Sequence, residues 1–118
     1  MKLARLVFLI AGIYGLLLLV PVYFLESKIV PAITHPEFFY GFVGVAIAWQ
    51  IAFLLVGRDP VRFRPIMVAA ILEKTAYGLV VVILYLLNRL SALPAAIGSV
   101  DLLFAVLFAA AYAFTPAK

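Results

Sequence analysis

Two carboxylates lie inside apolar stretches of this chain, Glu73 and Asp101. An ionised group in hydrocarbon is costly, so each of them is a functional candidate by default. A carboxyl there can hold a ligand, pass a proton, or lock two helices by an ion pair or hydrogen bond. Glu73 lies seven residues into the third apolar run. Gln50 lies six residues from the end of the second, which runs the other way, so the two fall at similar depth. Trp49 and Tyr77 add an indole and a phenol nearby. Glu73, Gln50, Trp49 and Tyr77 therefore outline a ligand-binding set, with Asp101 as a further member. For both carboxylates the structural and the ligand-binding readings stay open. Trp49 has two readings as well, cavity wall or packing element. Arg5, Arg58, Arg62 and Arg64 are the expected partners of Glu73. Asn88, Tyr85, His35 and Tyr23 are those of Asp101. Lys74 is about 100° round the helix from Glu73 and is expected to snorkel to the nearby interface, the other reading being a buried substrate-binding lysine.

The chemistry that is excluded is as informative. Glu73 and Asp101 are expected near opposite faces of the membrane. Carboxylates that share one substrate stand roughly 5–10 Å apart, so no catalytic pair is assigned. There is no cysteine and one histidine, which leaves no protein-only metal site and no thiol nucleophile. No nucleotide loop or cofactor motif is present. The reading leans away from an enzyme, with no catalytic residue and no cofactor. His35, Pro36, Glu37 and Tyr40 could form a polar mouth, or simply cap and anchor a helix.

The elements that position these residues are four apolar runs, Leu3–Leu25, Pro36–Val56, Ile66–Leu87 and Ala92–Phe114. Each can cross a core of ~30 Å at ~1.5 Å per residue. The composition, 69% hydrophobic and 12% charged, is too apolar for a soluble domain. The fold expected is all-α, one integral membrane four-helix bundle over residues 1–118. The first run is longer than a signal-peptide core and lacks a small-x-small site, so it is expected to stay as a helix.

Charge sets the orientation. Lys2, Arg5, Arg58, Arg62, Arg64 and Lys118 flank one side, against Lys28 and Arg89 on the other. By the positive-inside rule both termini are cytoplasmic. The net charge of +4 is thus topology, not a nucleic-acid surface. Arg58, Arg62 and Arg64 are expected to meet anionic lipid headgroups. Thr34 and Glu37 match a capping box, Gly57 suits the end of the second helix, and Asn88–Ser91 makes a tight turn. Small residues predict close helix approach. They are Ala11, Gly12 and Gly15; Gly41, Gly44, Ala48 and Ala52; Ala69 and Ala76; and Gly98, Ala105, Ala109 and Ala113. The stripe in the second helix could also serve a homo-oligomer. No inverted repeat is evident.

The stretches Gly12-Ile13-Tyr14-Gly15, His35-Pro36-Glu37-Phe38-Phe39-Tyr40-Gly41-Phe42, Trp49-Gln50, Arg58-Asp59-Pro60 and Leu72-Glu73-Lys74 resemble the small four-helix bacterial DoxX-like membrane proteins. The resemblance spans most of the chain and implies a multi-pass protein of the bacterial inner membrane, without implying an activity. Small multidrug exporters share the size but carry a glutamate in the first helix. Here that run has no acid before Glu26.

Two functions are expected. The first is a non-enzymatic accessory or structural subunit of a larger membrane complex, given the short loops and small-residue seams. The alternative is a binder or carrier of a small lipophilic molecule near Glu73. An isomerase-type enzyme using that carboxylate is more distant.

Overall fold

The computed structural model describes residues 2–30 and 32–117. Four helices carry nearly all of them: α1 (Lys2–Tyr23), α2 (Pro36–Arg58), α3 (Ile66–Leu86) and α4 (Ala92–Phe114). All four are long and apolar enough to cross a membrane. The bounds agree with the apolar runs to within two residues, because run length and turn residues fix them. No strand occurs among the described residues.

The ends show how the local chemistry works. The capping box at Thr34 does not form. His35 is the N-cap without a side-chain bond, and Pro36 occupies the first turn, where its missing N–H costs nothing. Gly57 does not end α2, which continues to Arg58. Its lack of a side chain serves packing instead, since a β-carbon there would lie 2.8 Å from Leu9 Cγ. The α3–α4 turn is tight as expected. Asn88 takes a left-handed φ of 58°, and the Arg89 N–H reaches back to Leu84 O at 2.8 Å, a Schellman-type ending.

The helices run up and down, with both chain ends at the same end of the bundle. α1 packs closely on α2, α3 packs closely on α4, and α1 meets α4. α2 and α3 scarcely touch. The bundle is therefore a bent row, α2-α1-α4-α3, with a cross-section of 29 by 18 Å. The row closes at the end that bears the termini. There Phe8, Phe53, Phe108 and Met67 are fully buried, and Phe8 stacks on Phe108 at 4.1 Å. Leu17, Leu72, Leu93 and Val106 point outward.

The small-residue seams are only partly those expected. Ala11, Gly12 and Gly15 are buried, and α1 meets α2 there. Gly98 and Ala105 face α3 or the core, but Ala109 and Ala113 are exposed. On α2 the buried face is Val43, Ala46, Gln50, Phe53 and Val56. Gly41 has nothing near it, and Gly44 meets only Tyr23, at 3.9 Å. That stripe is not an internal seam. On α3, Ala70 and Gly78 pack inward while Ala76 is exposed.

Candidate functional site

Helix rotation decides the site. The inward stripe of α3 is Met67, Ala70, Lys74, Gly78 and Val81. Lys74 thus faces α4 and is 4% exposed, and Glu73 turns about 100° away, toward α2. The expected snorkelling of Lys74 does not occur. Its Nζ lies 3.4 Å from Asp101 Oδ1 and over the rings of Phe53 and Phe104, at 5.1 and 5.5 Å. An ammonium reaches an interface only where its stem points along an open surface. Here Phe53 and Phe104 close that path. The partner of Asp101 is accordingly Lys74, not Asn88, Tyr85, His35 or Tyr23.

None of the four arginines pairs with Glu73. Its Oε2 is buried without a hydrogen-bond partner. Arg64 in particular is turned away, donating from Nε to Thr115 O at 2.8 Å and Tyr112 O at 3.3 Å. Its guanidinium lies 3.8 Å from the centre of the Tyr112 ring. It caps α4, while Arg58 and Arg62 are exposed.

Gln50 is 1% exposed. Its Nε2 donates to Ala46 O at 2.8 Å, which fixes the amide orientation and leaves Oε1 without a donor. That oxygen lies over Gly15, where any β-carbon would collide with it. Glycine at this position is what lets a polar side chain fit between α1 and α2.

These groups surround one cavity of about 90 Å³. Tyr14, Gly15, Gln50, Glu73, Lys74, Tyr77 and Asp101 all line it. The two carboxylates therefore share a chamber, contrary to the expected separation across the membrane. The contacts of Gly78 with Leu102 and of Gly98 with Val81 set the register of α3 and α4. That register puts Glu73 and Asp101 only about one and a half helical turns apart in depth. Asp101 is engaged by Lys74, so a single free carboxylate remains, too few for two-carboxylate chemistry.

Beside the chamber is a second, laterally open cleft of about 530 Å³ in the gap between α2 and α3. Gly41, Val45, Trp49, Ala76 and Val80 form its walls. Phe42, Ala46, Glu73 and Tyr77 belong to both spaces. Phe42 and Tyr77 stack at 5.3 Å across the gap, and Trp49 also packs on Phe53. Of the residues expected to bind a ligand, Glu73, Gln50, Tyr77 and Asp101 thus meet in the chamber. Trp49 sits in the cleft beside them.

Sequence reasoning missed Lys74, Tyr14 and Phe42. His35 and Glu37 lie apart from this site, both exposed and 3.8 Å from each other. Tyr40 donates to Glu26 at 2.9 Å, tying α2 to the loop after α1. No group of metal-ligating side chains occurs among the described residues. Comparisons with protein families, curated proteins and solved structures return no match.

Proposed function

We propose that this chain is a multi-pass membrane protein that binds a small lipophilic molecule from within the bilayer. One observation carries this reading: a chamber inside the bundle that presents Gln50, Glu73, Lys74 and Asp101 adjoins an apolar cleft that opens sideways between α2 and α3 and shares four lining residues with it. A ligand dissolved in lipid can enter there tail-first or head-first without crossing water. The apolar walls receive the tail and the chamber receives the polar head, the usual division of labour in a ligand pocket. Both termini and the 59–65 loop are cytoplasmic in this reading, which rests on the distribution of Lys and Arg. The bacterial inner membrane and a DoxX-like kinship belong to the same proposal.

Native mass spectrometry after gentle extraction tests it. The protein is expected to retain a lipophilic mass at one copy per chain. Ala76→Phe, which fills the cleft from an exposed position, is expected to lose that mass with an unchanged melting temperature. A bare chain in both cases removes the proposal.

A second reading is the accessory subunit. The observation in its favour is the outward face of α2, where Gly41 and Gly44 have almost no neighbours and a partner helix could approach closely. A stoichiometric protein partner in the same spectra would support it, as would a homo-oligomer.

A further inference from the structure

The chamber's charge and hydrogen-bonding pattern point to the kind of headgroup it takes. Lys74 and Asp101 neutralise each other. Lys74 is held among Asp101, Phe53 and Phe104, and its side chain is 5% exposed. It lines the chamber, but its ammonium is already engaged by Asp101. Among the described residues the buried side-chain atoms without a partner are Glu73 Oε2 and Gln50 Oε1, and no cation stands within 4 Å of Glu73; the more open Tyr14 and Tyr77 hydroxyls also line the chamber. A buried acceptor left alone is costly, and more so if charged. The missing group is therefore a donor, and beside a carboxylate a positively charged one. Aromatic faces stand around it, Tyr77 stacked on Phe42 and Trp49 along the cleft, which is what an ammonium attracts. Size narrows the choice further. An apolar cavity of about 150 Å³ takes a benzene ring, and this chamber measures about 90 Å³. It has room for a compact ammonium.

We infer that the ligand is a lipophilic amine, its protonated head at Glu73 in the chamber and its single apolar chain in the α2–α3 cleft. This rests on the lateral-entry reading above.

Trp49 is the chain's one tryptophan and lies in the cleft wall, so bromine on a bound tail should quench it. The experiment titrates the protein in phosphatidylcholine vesicles with three ω-brominated twelve-carbon probes: amine, alcohol and carboxylic acid. The amine is expected to quench saturably, with an affinity about ten-fold above the alcohol, the usual margin of a charge-assisted over a neutral hydrogen bond. Excess unbrominated dodecylamine should reverse the quenching. Glu73→Gln should bring the amine down to the level of the alcohol, and Glu73→Asp should keep the preference. Circular dichroism confirms that each variant is folded. Equal affinities for amine and alcohol overturn the inference, as does tightest binding of the acid, or an amine preference that survives Glu73→Gln. In all three cases the cleft still binds a chain, so lateral entry stands. Absence of saturable quenching by any probe overturns both.

Discussion

Lys74 and Asp101 set the electrostatics at the residue scale. A buried pair contributes little net stability against a well-packed apolar substitute, but removing one member strands the other. Lys74→Met should therefore destabilise the bundle by about 3–5 kcal/mol. Adding Asp101→Leu should recover most of that loss, as read from reversible unfolding in mixed micelles. Arg64 makes a different kind of contribution, two bonds from Nε and a stack on Tyr112. Lysine has neither the fork nor the plane. Arg64→Lys should cost about 1–3 kcal/mol and raise amide exchange in the last turn of α4. Neither role was legible in the sequence. Depth along a helix follows from counting residues, and the levels of Glu73 and Gln50 were read that way. Rotation about the helix axis does not, because every span is apolar all round. One residue step, 100°, separates a snorkelling Lys74 from a buried one.

At the scale of the elements, α1 and α2 are fitted at Gly12, Gly15 and Gly57. Gly15→Ala would push a β-carbon into the Gln50 amide and should cost about 1–3 kcal/mol by overpacking. Gln50→Ala in the same chain should relieve that clash, so the double variant should unfold later than Gly15→Ala alone. Gly41→Ala should be nearly silent, since nothing stands near it. Four-residue spacing marked both helices as carriers of close seams and was right for α1. On α2 the pattern Gly41, Gly44, Ala48, Ala52 is as regular as a seam but faces outward. The large Phe53 and the polar Gln50 turn inward, because the Phe8–Phe108 stack and Gly15 give them room. Helix bounds were legible almost to the residue, since Pro36, the loop prolines and Asn88 interrupt the chain where hydropathy falls.

Across the whole molecule, one of the four helix–helix sides is left almost unmade. The gap between α2 and α3 should be the softest part of the bundle, because few packed side chains hold it. The chain has no cysteine, so paired spin labels can be placed without removing any. Labels at Val45 and Val80, on opposite walls of the cleft, should give a broad distance distribution. Labels on exposed positions of α1 and α2 should give a narrow one. A bound amphiphile should sharpen the first and leave the second unchanged. A narrow Val45–Val80 distribution in the empty protein would mean that the gap is rigid.

The same asymmetry bears on how the protein could be assembled. Each tight contact surface joins neighbours in the chain, α1 to α2 and α3 to α4, and the two halves meet mainly along α1–α4, with Phe53 of α2 reaching Phe108 of α4. A break between Pro60 and Val61 would leave Arg64 with its acceptors on α4 and would sever no helix. The two fragments are then complete hairpins, each able to enter a bilayer by itself. Co-expressed, they should find each other through Phe8 and Phe108 and rebuild the chamber from parts that were never covalently joined.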